Sequence, residues 1–137
     1  MSKKGIEKAA KKLQEYYSQF PDWYWAHGLH DAEILSVCEL ELSPDWKSET
    51  PRRNCLEICL DSSGALYERD IRKICLYNYK IKTPEINISA LQKPWWMGDT
   101  ITQLPDRRYL LEIKIETANG KHKQFAVEFE IPEVIRE

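Results

Sequence analysis

The chain has 137 residues, of which 42% are hydrophobic and 31% charged, and its net charge is −2. This balance is typical of one globular domain, residues 1–137, and excludes an intrinsically disordered chain. The near-neutral charge gives no overall attraction to nucleic acid, and no apolar run approaches the roughly 20 residues that cross a bilayer. Because the basic N-terminus lacks the apolar segment of a signal peptide, we expect a cytoplasmic protein with no membrane partner.

The N-terminal segment has the spacing of an amphipathic helix. Apolar residues from Ile6 to Phe20 recur at intervals of three and four, and most lysines lie away from this stripe. Pro21 ends the predicted helix, because the residue before a proline avoids helical backbone angles. The lysines crowd the positive end of the helix dipole, so the first turn should fray.

Most of the remaining chain alternates apolar and polar residues, which predicts β-strands. We expect strands over residues 34–42, 55–60 and 71–82, a shorter one over 85–89, and a turn around Met97–Asp99. The first strand should be buried on both faces at its start. No helical segment separates the strands, which disfavours parallel crossovers. The predicted class is α+β: an N-terminal amphipathic helix partly covering a curved, mainly antiparallel sheet of about five or six strands.

The C-terminal hairpin around Asn119–Gly120 is the clearest strand pair. A two-residue turn would set odd-numbered residues against even-numbered ones, yet the apolar residues of both strands are odd-numbered. Residues directly opposite share a sheet face. A three-residue loop, 118–120, restores odd-to-odd pairing and places Gly120 in the left-handed backbone region.

The chain contains four cysteines, Cys38, Cys55, Cys59 and Cys75, without the secretory context that favours disulfides. Cys55 and Cys59 are the closest pair in sequence. On a strand they share a face but lie about 13 Å apart, at roughly 3.3 Å per residue. Because neither a disulfide nor one metal ion bridges that distance, we interpret the cysteines as small buried hydrophobic residues.

The segment WAHGLHDAEI, Trp25 to Ile34, contains His27, His30 and Asp31, residue types that bind metals or transfer protons. A zinc site needs three or four ligands, and acid–base catalysis needs a pair within hydrogen-bond reach. On extended backbone the two histidines point to opposite sides. We therefore expect no metal, no cofactor and no catalytic residue, and we do not expect an enzyme. We interpret Asp31 as accepting backbone hydrogen bonds at the strand entrance, and His30 as filling a half-buried polar position.

The tryptophans are the stronger functional signal. Two precede the first strand and two more form the cluster KPWWMGD. Core packing accounts for most buried tryptophans, whereas one or two at a surface would form a hot spot for a protein partner. The candidate binding surface or pocket comprises Trp23, Trp25, His30, Asp31, Trp95 and Trp96.

The motif LHDAEI, residues 29–34, resembles the strand start of small bacterial proteins of unknown function, some of them predicted immunity proteins of polymorphic toxin systems. The double tryptophan followed by Gly–Asp and a closing hairpin is similar to the layout of that group. The resemblance covers roughly residues 23–131. It implies a fold and a non-enzymatic function, and it carries over no catalytic residue.

The leading hypothesis is a small cytoplasmic binding protein, of the immunity type, that occludes a protein partner. The alternative is a ligand-binding protein or enzyme with a tryptophan-walled pocket near His30 and Asp31. A third interpretation, binding of single-stranded nucleic acid through stacking aromatics and the basic helix, has the least support.

Overall fold

The computed structural model describes residues 3–18 and 20–137, and within the helix the side chains of residues 4–12. This part of the chain contains one α-helix, eight strands and two short 3-10 turns, at Ile88–Ala90 and Pro105–Arg107. Helix α1 spans Lys3–Ser18. The strands are β1 (Ala32–Glu41), β2 (Asn54–Asp61), β3 (Ile71–Tyr77), β4 (Lys80–Ile81), β5 (Trp95–Gln103), β6 (Tyr109–Glu116), β7 (His122–Phe129) and β8 (Ile131–Arg136).

The strands form one open sheet in the order β4-β7-β6-β5-β1-β2-β3-β8, and neighbouring strands pair antiparallel. The predicted α+β class with an antiparallel sheet is therefore confirmed, but the strand count is higher than predicted. One reason is that the expected strand over 71–82 is interrupted at Asn78, whose φ of 55° lies in the left-handed region. The chain turns there and continues as β4.

Two other local predictions were wrong. The turn expected around Met97–Asp99 lies inside β5, where the register shifts between Trp96 and Gly98. A bulge adds one residue to a strand without ending it, so turn-forming residues can lie within a strand. The short strand expected over 85–89 is replaced by the 3-10 turn that begins at Ile88 and buries that side chain.

Strand β1 also differs from its prediction. Ala32 and Ile34 are buried, but Leu35 is exposed because a register shift falls between Ile34 and Ser36. The start of β1 is therefore buried on one face and not on both. Beyond the bulge the strand becomes increasingly exposed.

The predicted hairpin register is confirmed. Ile113 pairs with Phe125 and Leu111 with Val127, so odd-numbered residues face odd-numbered ones. The N–H of Thr117 donates to the carbonyl of Lys121 at 2.9 Å, which closes the three-residue loop. Gly120 has a φ of +78°. This angle explains why glycine suits the last loop position.

Strands β7 and β8 are separated by one residue, Glu130, yet they lie towards opposite ends of the sheet. Arg108 holds this junction by donating to Glu128 at 2.8 Å and to Glu130 at 3.3 Å. Asn78 donates its side-chain N–H to Glu130 at 2.9 Å, and its carbonyl accepts from Arg108 at 3.0 Å. One chain segment therefore contributes strands to both parts of the curled sheet.

The two halves of the sheet share one hydrophobic core. Residues of β2 and β3, such as Leu56 and Ile74, join residues of β6 and β7, such as Ile113 and Phe125, in a single buried cluster. This arrangement requires the sheet to curl around its inner face.

Helix α1 does not cover the sheet in the part whose side chains are described. Ile6 of the predicted stripe is 56% exposed, and Ala9 and Ala10 are exposed too. The stripe positions from Leu13 to Tyr17 lie outside the described side chains. No helix in the described residues has the length and apolar character needed to cross a membrane.

Gly64 and Gly120, two loop glycines with open space around them, allow the backbone conformation of the hairpin loop to be tested. Gly120 has positive φ and Gly64 does not, and an added Cβ meets no atom within 4 Å at either site. Gly120→Ala should destabilise the protein by about 1–2 kcal/mol, because a Cβ disfavours left-handed backbone. Gly64→Ala should leave stability unchanged or raise it by about 0.4–1 kcal/mol. Urea unfolding measures both; equal effects would contradict the assigned loop conformation.

Candidate functional site

A buried carboxylate, Asp99, organises the aromatic residues that the sequence emphasises. Its Oδ2 accepts hydrogen bonds from the Tyr24 hydroxyl at 2.6 Å and from Trp25 Nε1 at 3.0 Å. Its Oδ1 accepts from Trp96 Nε1 at 3.1 Å. All four residues are buried. We call this group the Asp99 cluster. It links the loop before β1 to strand β5.

The bulge in β5 makes this cluster possible. Trp96 and Asp99 are three residues apart, so on a regular strand their side chains would point to opposite faces. The extra residue between Trp96 and Gly98 reverses the alternation and brings both side chains to the core side. There the rings of Trp25 and Trp96 meet edge to face with centroids 5.5 Å apart. This is a favoured geometry for aromatic pairs.

Two opposing effects determine the charge of Asp99. Burial raises the pKa of its carboxyl group above the usual value, and the hydrogen bonds from Tyr24, Trp96 and Trp25 and the nearby His27 partly offset this rise. His27 Nδ1 lies 4.0 Å from Asp99 Oδ1 and 3.3 Å from the Tyr24 hydroxyl oxygen. The His27 side chain is partly exposed, so a chain of polar contacts runs from the core to the surface. Since both carboxylate oxygens already accept buried donors, the cluster is suited to joining elements rather than to holding a substrate.

The predicted tryptophan group divides between core and surface. Trp25 and Trp96 are almost fully buried and so offer no wall to an open pocket. Trp23 is half-buried against the rings of Tyr109 and Phe129, at centroid distances of 5.3 and 5.8 Å. Trp95 is 40% exposed. The two tryptophan clusters therefore meet, but they meet inside the core.

The structure places His30 and Asp31 side by side at the surface, with His30 Nδ1 3.2 Å from Asp31 Oδ2. The prediction that the Asp31 carboxylate accepts backbone hydrogen bonds was wrong for the described residues, where its polar partner is His30. The strand entrance is held instead by the backbone N–H of Asp31, which donates to the Trp96 carbonyl at 2.8 Å. Asp31 has a φ of 75°, a backbone conformation that aspartate tolerates better than most residues.

The two histidines of this segment are not assembled as metal ligands. Within the described part of the chain, neither His27 nor His30 belongs to a group of three side chains placed to hold one ion. His27 contacts Tyr24, Asp99 and the ring of Phe20, whereas His30 contacts Asp31.

The sequence reasoning missed Asp99, because Gly98 and Asp99 together are typical of a turn. One signal could have found it. Asp99 follows two tryptophans and precedes alternating residues, so it could occupy a buried strand position. A buried carboxylate needs donors, and the indole N–H of tryptophan is only a donor.

Exposed apolar side chains surround the start of β1. The N–H of Leu66 donates to the His30 carbonyl at 2.9 Å, and the N–H of Tyr67 donates to the Gly28 carbonyl at 3.0 Å. On the other side, Trp95 pairs with Glu33 across the sheet. We call this region the β1-entrance surface; it comprises His30, Asp31, Leu35, Leu66, Tyr67 and Trp95. Four of these residues are large, apolar and exposed, and Tyr67 is 74% exposed.

No protein-family model, curated protein or solved structure matches this chain.

Substitution of Asp99 should destabilise the fold strongly. Asp99→Ala leaves three buried donors without their acceptor, and each unpaired donor costs about 1–3 kcal/mol. Asp99→Asn should cost less, because it retains one acceptor oxygen. It should still destabilise the fold, because one indole N–H then faces an amide N–H. The control is Asp22→Ala, which removes an exposed carboxylate and should change stability by less than about 0.5 kcal/mol. Urea unfolding measures all three variants.

Because the pKa of Asp99 is raised, the stability difference between the wild type and Asp99→Asn should depend on pH. Between the unfolded pKa and the higher folded pKa, the native protein binds more protons at this site than the unfolded chain. The contribution of Asp99 to the free energy of unfolding therefore falls as the pH rises through that window. The stability difference between the wild type and Asp99→Asn should show this slope. A difference that increases with pH would contradict the assigned direction.

Asp31 can be tested as a backbone position rather than as a hydrogen-bond acceptor. Asp31→Ala should lower stability by about 1 kcal/mol, because alanine disfavours left-handed backbone angles. Asp31→Gly and Asp31→Asn should be close to neutral, since both residues tolerate these angles. Thermal unfolding of the three variants separates the explanations. If Asp31→Gly is as unstable as Asp31→Ala, the carboxylate itself is required.

Proposed function

We propose that this chain is a small cytoplasmic binding protein of the immunity type, and that its β1-entrance surface occludes part of a protein partner. The observation that carries this proposal is the exposure of four large apolar side chains, Trp95, Tyr67, Leu35 and Leu66, on segments that meet at the start of β1. Large aromatic side chains contribute much of the binding energy in protein interfaces when a partner buries them.

The charged residues at this surface indicate what kind of partner would be complementary to it. Acidic residues accompany the apolar side chains: Asp31 belongs to the surface, and Glu33 pairs with both Trp95 and Asp61 across the sheet. A partner with an apolar patch bordered by lysine or arginine would be complementary to this arrangement. Such complementarity directs the approach and orientation of two proteins more than it strengthens the final complex.

The backbone beneath this surface is held from the inside, which favours binding without rearrangement. Asp31 and Ile34 donate backbone hydrogen bonds to the carbonyls of Trp96 and Pro94, at 2.8 and 2.9 Å. The Asp99 cluster also joins the loop before β1 to β5 by hydrogen bonds in the core. A surface that is ordered before binding loses less conformational entropy when the complex forms.

Binding is favoured over catalysis by the same geometry. The alternative function required an open pocket walled by the tryptophans near His30 and Asp31, but Trp25 and Trp96 are packed in the core. The proposal therefore assigns no catalytic role to His30 or Asp31.

The experiment has two stages. The tagged protein is used to capture a partner from its source cells, and the captured protein is then purified and titrated against the wild type and surface variants by calorimetry. Trp95→Ala and Tyr67→Ala should each weaken binding by about 2 kcal/mol, or roughly 30-fold, as expected for hot-spot residues. Both side chains are exposed, so unfolding curves should confirm that the variants remain folded.

Trp46 provides the matched control. It is 71% exposed and lies in the loop that follows β1, at the opposite end of that strand from Trp95. Trp46→Ala should leave the affinity unchanged. Equal losses at Trp46 and Trp95 would show a non-specific effect of exposed tryptophan, and unchanged affinity in both surface variants would place the interface elsewhere. Turnover of a small molecule by the purified protein would contradict the proposal as a whole.

A further inference from the structure

The strand register brings all four cysteines to one face of the sheet. Across β1 and β2, Cys38 pairs with Glu57, and Cys59 pairs with Ser36. Across β2 and β3, Glu57 pairs with Cys75. Residues directly opposite share a face, and so do residues two apart on one strand. Cys55 therefore belongs to the same face, which is opposite to the one that carries core residues such as Leu56 and Ile58.

Three side chains on this face converge. The sulfur atoms of Cys55 and Cys75 and a carboxylate oxygen of Glu57 all lie within 4.8 Å of one another. Cys55 and Cys59, which are neighbours along β2, are too far apart to share an ion. The fold instead places Cys55 beside Cys75 of the adjacent strand, and the sequence-based prediction of no metal did not depend on this pair.

The donor atoms suit a zinc-class ion. Zinc is bound by cysteine sulfur at about 2.3 Å and by carboxylate oxygen at about 2.0–2.2 Å, with tetrahedral geometry. Ligand atoms around such an ion lie about 3.5–3.8 Å apart. The three atoms lie within 4.8 Å of one another, so binding would require them to draw together by about 1 Å at most. Thiolates favour zinc and other thiophilic ions over magnesium and calcium, which prefer oxygen.

A bound divalent ion would offset most of the negative charge around the cluster. Lys73 Nζ lies 3.4 Å from Glu57 Oε2. Two thiolates and the Glu57 carboxylate are balanced by a divalent cation and the Lys73 ammonium. Glu133, which pairs with Cys75 across the sheet, adds one exposed negative charge. The side chains of Glu57 and Lys73 are partly exposed, whereas Cys55 and Cys75 are buried. The cluster is therefore accessible from the side of Glu57.

A catalytic thiol is a poorer explanation of this pair. Both side chains are buried, whereas reactive thiols are partly exposed so that a substrate can reach them. A metal ion needs only a path past Glu57, and it displaces the thiol protons when it binds.

We propose that Cys55, Glu57 and Cys75 form a binding site for one zinc-class ion, with solvent at the fourth coordination position. The site lies on β2 and β3, and it is separate from the β1-entrance surface. Its existence therefore does not depend on the proposed partner binding.

The test titrates chelator-treated, reduced protein with Zn²⁺, and in parallel with Cd²⁺. One equivalent should bind, Cd²⁺ should produce thiolate-to-metal charge-transfer absorption, and excess Zn²⁺ should raise the melting temperature by several degrees. Cys55→Ser and Cys75→Ser should each abolish the absorption and the stabilisation. Glu57→Gln should weaken binding while retaining the charge-transfer absorption.

Cys38→Ser and Cys59→Ser are matched controls, because they alter cysteines of the same face outside the cluster; both should bind like the wild type. Circular dichroism checks the folding of each variant. If the buried serine variants unfold, Cys55→Ala and the partly exposed Glu57→Gln provide the test. Absence of stoichiometric binding to the folded wild type overturns the proposal. So does binding that survives in folded Cys55→Ala, binding that is lost in His27→Ala or His30→Ala, or a Cys55–Cys75 disulfide whose reduction restores no metal uptake.

Discussion

The architecture depends on three hydrogen bonds that converge on one buried carboxylate. Asp99 receives the hydroxyl of Tyr24 and the indole N–H groups of Trp25 and Trp96. Each aromatic residue contributes a large apolar surface to the core, but each also carries a polar atom that needs a partner. A single acceptor satisfies all three. The cluster thereby allows bulky residues from two distant segments to be buried together, at the point where β1 enters the sheet.

The loop before β1 adopts backbone angles that a chain without this anchor would avoid. Ala26, His27 and Asp31 all have positive φ within six residues. Such conformations cost about 1–3 kcal/mol each and persist only when surrounding contacts enforce them. The Asp99 cluster supplies these contacts from the core side. As a result, Trp95, His30 and Asp31 lie on a backbone whose conformation is fixed by contacts with the core.

The sequence pattern predicted the elements that depend on residues close together in the chain. It failed where residues far apart in the chain determine the structure. The hairpin register followed from the parity of Ile113 and Phe125, and the helix followed from its periodicity. The interior position of Asp99 did not, because it depends on a bulge in β5 and on two donors, Tyr24 and Trp25, that lie about 75 residues earlier in the chain. The neighbour relation of Cys55 and Cys75 likewise depends on strand order. Composition and spacing encode neither of these pairings.

The junction at Glu130 has a consequence for how the chain folds. Ile71 pairs with Arg136 and Ala32 with Trp96, and the members of each pair are about 65 residues apart along the chain. Contacts of such high sequence separation slow folding, because chain entropy is lost before the contacts form. Since Glu130 joins β7 directly to β8, pairing of one of these strands limits the conformations that the other can sample before it pairs. We therefore expect a folding rate in the slow, millisecond-to-second regime, with the pairing of β7 and the pairing of β8 forming in a coupled step.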